Sequence, residues 1–362
     1  MPDLILDSLE IQNYRGLREL RIEHLGRVNL IVGKNNVGKS SLLEALRIYA
    51  SRGSTELILQ LLESRDQFDA DSISGRRYSK TSFVLPLKSI FFMEGRDAFQ
   101  TVGLPIIKVG RAGLQEALLS LSIDTQKEVT DQTTIHEDYL LIKFSAHEIR
   151  IPLRRIVADA QWTHQSEFLT DTKSWISCFH VGANGLNSFR LESLWNTIAL
   201  TPLEDEVIEA LRLIAAQVER LVFKPVHENS RIRVPFVKLK GVNDPLPLRS
   251  MGDGMNRVFG IDLALVNAKG GMLLIDEVEN GLHYSVQPDI WRMIFESASK
   301  LNVQVFATTH SLDCVRAFET AARESPEEGV LVRLAQKAGR ILVGEFDEDD
   351  LKIAVEGQIE VR

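Results

Sequence analysis

Eight consecutive residues constrain this chain more than any others: Gly33-Lys34-Asn35-Asn36-Val37-Gly38-Lys39-Ser40, which read G-x-x-x-x-G-K-S. Val28 to Val32 just before them is a short apolar run, the signal of a buried strand. Leu42, Leu43, Leu46 and Tyr49 then recur at helical spacing, with Gly53 as a stop. A strand, a tight loop and a helix in that order form a cradle for phosphate. The two glycines let the backbone wrap an anion without Cβ clashes, and the helix N-terminus aims unpaired N–H groups at it. In such a loop Lys39 reaches the β- and γ-phosphates of a nucleotide and the Ser40 hydroxyl ligates Mg2+.

The second half of the chain carries matching parts. Gly271-Met272-Leu273-Leu274-Ile275-Asp276-Glu277 is an apolar strand that ends in two carboxylates. An Asp at that position, beside a phosphate loop, can hold the Mg2+ hydration shell. The next carboxylate, Glu277, can orient and deprotonate an attacking water. Thr308-Thr309-His310-Ser311 ends the next strand, where His310 can hydrogen-bond a γ-phosphate and sense it. Ser250-Met251-Gly252-Asp253-Gly254 precedes a helix and offers further backbone donors to an anion.

Between these motifs the pattern is uneven. Leu4 to Asn13 reads as a strand with Arg21 to Leu25 as its partner, and residues 54–80 read as a short helix and a polar loop, Ser72 to Lys80. Short apolar runs split by Gly and Pro over 81–158 predict β structure. Residues 159–190 carry few signals. Thr201-Pro202-Leu203-Glu204 predicts a capped helix start, followed by one apolar face through Val207, Ile208, Leu211, Ile214, Ala215, Val218 and Leu221. Arg231 to Lys240 reads as a strand, 255–268 as a helix, Tyr284 to Ala298 as a helix, Val303 to Thr308 as a strand and Leu312 to Arg323 as a helix. This alternation predicts a parallel sheet, closed by a hairpin of Val330 to Leu334 and Arg340 to Phe346.

Composition adds bounds. The 362 residues suffice for one large or two ordinary domains. A net charge of −8 does not advertise nucleic-acid binding, although Arg231, Arg233, Lys238, Lys240 and Arg249 form one locally basic segment and Arg76, Arg77 and Lys80 another. Cys178 and Cys314 have no CxxC partner, so neither a metal cluster nor a disulfide framework is implied, and a reducing cytoplasm is the expected setting. The first ten residues lack a basic signal-peptide region, and no uncharged apolar run reaches membrane-spanning length.

Taken together, the order of phosphate loop, Ser-Gly signature, Asp-Glu strand and Thr-His turn resembles the ATP-binding-cassette (ABC) ATPases, and within them the SMC, RecF and OLD (overcoming lysogenization defect) group. Leu9 to Leu17 (LEIQNYRGL) is similar to that group's N-terminal strand and arginine turn, Asn35 to Leu46 to its phosphate-loop helix, and Glu277-Val278-Glu279-Asn280-Gly281-Leu282-His283 to the OLD form of its D-loop. The resemblance covers residues 4–53 and 230–320. It implies an α/β fold: a single ABC-type ATPase head over 1–362, with a mixed or parallel phosphate-loop sheet, helices and an antiparallel β-rich lobe. Within it, 1–53 would form the lobe with the phosphate loop, 54–230 a β-rich and helical insertion, 231–346 the signature, Asp-Glu and His-switch lobe, and 347–362 a tail. It implies ATP and Mg2+ as ligands. Gly33, Asn35, Asn36, Val37, Gly38, Lys39, Ser40 and Ser41 would bind nucleotide, with Arg15 beside it, and Ser40 and Asp276 would hold the metal. Glu277, His310 and Lys39 would be catalytic. Two heads would pack head-to-tail around two ATPs, with Ser250 and Gly252 of one touching the γ-phosphate held by Lys39 of the other.

The chain departs from the family pattern in several places. Its signature reads SMGDG, which sets Asp253 near the expected γ-phosphate. No convincing Q-loop stands out among Gln100, Gln115 and Gln165, and no long coiled-coil arm or TOPRIM-type acidic cluster occurs. The leading expectation is therefore a stand-alone OLD-like ATPase governing a separate, TOPRIM-type nuclease in anti-phage defence. The alternatives are a RecF-like DNA-repair ATPase and a nucleotide-gated binding module with little turnover; retention of Glu277 and His310 speaks against the last.

Overall fold

The computed structural model describes residues 4–65, 87, 89–91, 105–130, 133–153, 155–156, 176–227, 230–325, 328–347 and 350. Two sheets sandwich the phosphate-loop helix. The first is six-stranded and mixed, in the order β15-β14-β3-β13-β12-β8. Its strands are β3 (Val28–Val32), β8 (Cys178–Val181), β12 (Met272–Ile275), β13 (Gln304–Thr309), β14 (Gly329–Lys337) and β15 (Arg340–Phe346). All run parallel to their neighbours except β15, which pairs antiparallel with β14.

The second sheet is antiparallel, in the order β2-β1-β4-β5-β6-β7. It contains β1 (Leu9–Tyr14), β2 (Leu17–Ile22), β4 (Ile107–Gly110), β5 (Leu119–Thr130), β6 (Thr133–Phe144) and β7 (His147–Pro152). A smaller antiparallel sheet joins β9 (Val218–Pro225), β10 (Arg233–Leu239) and β11 (Leu246–Pro247). The helices are α1 (Lys39–Ala50), α2 (Thr55–Glu63), α3 (Ser188–Ile198), α4 (Pro202–Arg212), α5 (Asp253–Asn267), α6 (Gln287–Leu301) and α7 (Leu312–Ala322).

The central strands β3, β12 and β13 are buried throughout and mostly apolar because both faces of the first sheet are covered. Successive side chains of β12 alternate between two cores. Met272 and Leu274 face the core that holds α1 and the antiparallel sheet, and Leu273 and Ile275 face the core of α5, α6 and α7. Trp195, Phe223 and Phe259 bring α3, β9 and α5 together with ring centroids 6.0–6.4 Å apart. Burying a side chain such as the fully enclosed Phe259 contributes roughly 1.5–3 kcal/mol.

Several elements differ from the sequence expectations. The first strand is Leu9–Tyr14 and its partner Leu17–Ile22, since a tight turn at Arg15-Gly16 brings the return strand forward. The apolar face expected to run from Val207 to Leu221 is split: α4 ends at Arg212, and Val218 and Leu221 lie on β9 because pairing with β10 claims them. The capping box at Thr201 is also rearranged. Thr201 Oγ1 accepts from Leu203 N, while the Glu204 carboxylate accepts from Leu200 N. Tyr284–Val286 is a 3-10 turn ahead of α6. The quiet stretch 159–190 yields β8, which adds an edge strand to the phosphate-loop sheet, so the segment 54–230 supplies strands to both large sheets. Gln100, Gln165, Arg76, Arg77, Lys80, the loop Ser72 to Lys80 and the tail Leu351 to Arg362 lie outside the described residues.

Candidate active site

The loop between β3 and α1 is shaped by close packing. A Cβ at Gly33 would stand 2.4 Å from the Leu334 carbonyl oxygen, and one at Gly38 would stand 2.6 Å from Leu17 Cδ2. Gly38 (φ 104°) and Asn36 (φ 64°) adopt left-handed backbone, and no side chain caps α1. The first N–H groups of that helix are thus left for an external acceptor. Asn35 and Asn36 are exposed, Val37 is anchored in the core, and Ser41 is half-buried on the first turn. Lys39 is buried and curls over the loop, its Nζ donating to the carbonyl oxygens of Gly33 (2.6 Å) and Lys34 (3.1 Å). Burial lowers its pKa, opposed by Asp276, Glu277 and Glu279. An ammonium held by carbonyl dipoles beside free N–H donors is suited to receive phosphate oxygens.

The ends of β12 and β13 complete the site. Strand β13 lies between β3 and β12, with Thr309 level with Val32. Asp276 Oδ2 accepts from Ser40 Oγ at 3.1 Å, and Oδ1 accepts from Thr308 Oγ1 at 2.6 Å. The Thr308 hydroxyl in turn accepts from Glu277 N at 2.9 Å. Ser40 and Asp276 therefore present converging hard oxygen donors, a pair that fits a Mg2+ completed by water and phosphate oxygens. Among the described residues no group of three or more His, Cys, Asp and Glu forms an all-protein metal site.

Glu277 sits in left-handed backbone (φ 49°) and its Oε2 accepts from Asn280 Nδ2 at 2.7 Å. His310 is half-exposed. Its N–H donates to Glu279 Oε1 at 3.1 Å, and its Nδ1 lies 3.3 Å from that oxygen and 3.9 Å from Glu277 Oε1. The phosphate loop, Ser40, Asp276, Glu277 and His310 are thus gathered at the C-terminal ends of adjacent strands.

The two signature residues make no hydrogen bond to the phosphate loop among the described residues. Ser250 and Gly252 make their hydrogen bonds within their own turn, Ser250 Oγ to Pro247 O (2.7 Å) and Gly252 N to Arg249 O (3.2 Å). That turn packs on the loop after β12, where a Cβ at Gly254 would stand 2.9 Å from Gly281 O. Arg15 sits on the turn between β1 and β2. It is buried, with φ 48°, and its Nε pairs with Glu44 of α1 at 2.7 Å. Gln115, in a 3-10 turn, accepts weakly from Lys108.

Asn280 and Glu279 lie in the D-loop segment without having been singled out, and their neighbourhood to Glu277 and His310 was the available signal. Thr308, the first residue of the Thr-His turn, bridges Asp276 and Glu277. Arg257 gave no comparable signal: it is one of three charged residues on its helix, with Asp253 and Asp262, and no motif marks it.

Comparison with known proteins agrees with this layout. Residues 5–102 match a family described as an AAA ATPase domain. Residues 198–313 match one described as AAA domain, putative AbiEii toxin, type IV TA system. An ATP/GTP phosphatase of Helicobacter pylori is 24% identical over 337 residues, covering 88% of this chain and 89% of the relative. The DNA replication and repair protein RecF of Clostridioides difficile is 30% identical over 122 residues, 33% of this chain and 30% of the relative. In fold, the chain is similar to an SMC head crystallised with the C-terminal winged-helix domain of ScpA, with a TM-score of 0.50 and 12% identity over 94% of this chain and 97% of that one. No helix among the described residues is long and apolar enough to cross a membrane. With the fold, the ordered motifs and the two domain matches in agreement, this chain is a P-loop ATPase whose fold is similar to that of an SMC head.

Proposed function

We propose that ATP binds on Gly33 to Ser41, that Ser40 and Asp276 hold Mg2+, and that Glu277 orients and deprotonates the attacking water while His310 senses the γ-phosphate. The observation that carries this reading is the continuous hydrogen-bonded line Ser40–Asp276–Thr308–Glu277, which ties the hydroxyl of the phosphate-loop helix to the backbone of the base. Lys39, already buried and within the field of Asp276, Glu277 and Glu279, neutralises phosphate charge. A Mg2+ held by Ser40 and Asp276 would supply neutralisation of phosphate charge.

The single head over 1–362 works as a homodimer. Ser250 and Gly252, exposed and hydrogen-bonded within their own turn, close on the nucleotide of a second copy. ATP then favours the closed dimer and hydrolysis releases it, a shift of population by a ligand that binds one state better. The head belongs with the OLD-like ATPases, acts in a reducing cytoplasm and governs a separate nuclease, of TOPRIM type, in anti-phage defence. The match to a family described as a putative toxin supports a defence role. A second reading, a DNA-repair ATPase, is favoured by the 122-residue match to RecF.

The test is ATP hydrolysis by the purified protein with and without double-stranded DNA, beside Lys39→Ala and Glu277→Gln. The expected result is turnover lost in both variants, with nucleotide binding lost only in Lys39→Ala. Wild-type turnover in Glu277→Gln would remove Glu277 from the chemistry. Stimulation by DNA favours the repair reading, and silence with DNA favours a switch awaiting its effector.

A further inference from the structure

Arg257, on the second turn of α5, is 4% exposed and donates three hydrogen bonds, all to backbone carbonyls. Nη1 donates to Gly182 O at 2.6 Å, and Nη2 donates to Asp276 O at 2.6 Å and Glu277 O at 2.8 Å. One guanidinium thus joins three segments: the signature helix, the turn after β8 and the turn that carries the base. A buried cation is expensive and is retained where its donors are placed with care. Its placement here answers a strain. Glu277 is a non-glycine residue at φ 49°, a conformation that persists only where the surroundings over-determine it. Its N–H is fixed by Thr308, its carboxylate by Asn280 and its carbonyl by Arg257.

We propose that Arg257 is a positioning residue for hydrolysis: it clamps the Asp276-Glu277 backbone in the geometry that aims the base, and it makes that geometry depend on how the signature helix is seated. The proposal rests on the reading that Glu277 is the hydrolytic base. Because Arg257 lies one turn beyond Gly252 and Asp253, any shift of the signature turn on engaging a second head is delivered to Glu277 through a single side chain. Nucleotide affinity resides mainly in the phosphate loop, to which Arg257 donates none of these three hydrogen bonds.

The experiment compares Arg257→Gln and Arg257→Lys with wild type, and Arg257→Gln/Glu277→Gln with Glu277→Gln. It measures single-turnover ATP hydrolysis, affinity for a non-hydrolysable ATP analogue and thermal unfolding. Misplacing a reacting group by about 1 Å costs about 100-fold, so hydrolysis by Arg257→Gln should fall about 10- to 100-fold. Analogue affinity should change by less than about threefold, the pattern of a group that acts only on the transition state. Arg257→Lys should be intermediate, since a single ammonium cannot span three carbonyls set for a planar fork. Adding Arg257→Gln to Glu277→Gln should cause no further loss. Rate and affinity falling together in both single variants, or a further loss in the double variant, would show a merely structural role and overturn the proposal. So would a wild-type rate in Arg257→Gln while Glu277→Gln is inactive. If Glu277→Gln itself hydrolyses normally, the reading beneath the proposal fails first, and the two failures are told apart.

Discussion

The phosphate loop and the signature turn are both glycine-bearing turns that open a helix, yet they are built in opposite ways. At the phosphate loop, Cβ atoms on Gly33 and Gly38 would collide with Leu334 O and Leu17 Cδ2, and Lys39 is already drawn onto the loop carbonyls. The turn is complete within one chain. At the signature, Gly252 (φ 101°) has open space where a Cβ would be, and Ser250 is exposed with its hydroxyl turned back to Pro247. One turn is closed up by its own fold, and the other is exposed with its donors turned back into the turn. An exposed, uncrowded glycine turn set apart from a finished one is what the proposed head-to-tail pairing would draw on.

The sharpest break in this comparison is Lys39→Ala, which should weaken ATP binding by at least about 100-fold in a fluorescent-nucleotide titration, the loss of a charge-assisted phosphate contact in a water-poor site. Next, Glu277→Gln should lower turnover by about 100-fold or more while retaining ATP, and size-exclusion with ATP and Mg2+ should show a dimer; a monomer would contradict the head-to-tail arrangement. Ser250→Ala should lower turnover by about 10-fold and leave the unfolding temperature unchanged. Gly38→Ala, by contrast, should lower thermal stability through its left-handed backbone and the clash with Leu17, by about 1–3 kcal/mol. Equal stability losses in those two variants would erase the distinction.

The smallest expected effect lies deeper in the signature helix. Burial pushes the Asp262 carboxyl up to about 8, with Glu206 adding to the shift, so the folded protein holds a proton there that the unfolded chain releases near its ordinary value of 3.8. Stability associated with this group is therefore full below about pH 4 and is lost as pH rises towards 8. Asp262→Asn, neutral at every pH, should raise the unfolding temperature at pH 7.5 by about 2–4 °C and flatten its decline between pH 5 and 8. An unchanged slope would mean that another group sets it.

Much of the site was legible because its parts are contiguous. The phosphate loop is eight residues in a row, β12 is an unbroken apolar run, β13 is buried along its whole length, and both end at the residues proposed to carry the chemistry. Strand β8 was not legible: Cys178-Phe179-His180-Val181 is short, mixed in polarity and defined by its parallel register with β12 rather than by its own pattern. The end of α4 was hidden because Leu213, Ile214, Ala215 and Ala216 are ordinary helix formers, and only the pairing of β9 with β10 stops the helix. Arg257 was invisible because its partners are main-chain carbonyls from three distant segments, and carbonyls leave no trace in a sequence. The basic segment before the signature reads differently in three dimensions. Arg233 pairs with Glu192 and Lys238 donates to the carbonyls of Val242 and Asn243, while Arg231, Lys240 and Arg249 are exposed. If those three meet DNA, affinity should fall steeply between about 50 and 200 mM salt; a flat response would exclude them.

The most direct test of the central claim, a site completed in trans, is a mixing experiment. Lys39→Ala and Ser250→Arg are each purified, assayed alone for ATP hydrolysis and then combined. The account predicts two inactive variants and an active mixture, because a heterodimer pairs one intact phosphate loop with one intact signature turn. A mixture as inactive as its components, under conditions where the wild type dimerises and hydrolyses ATP, would contradict it.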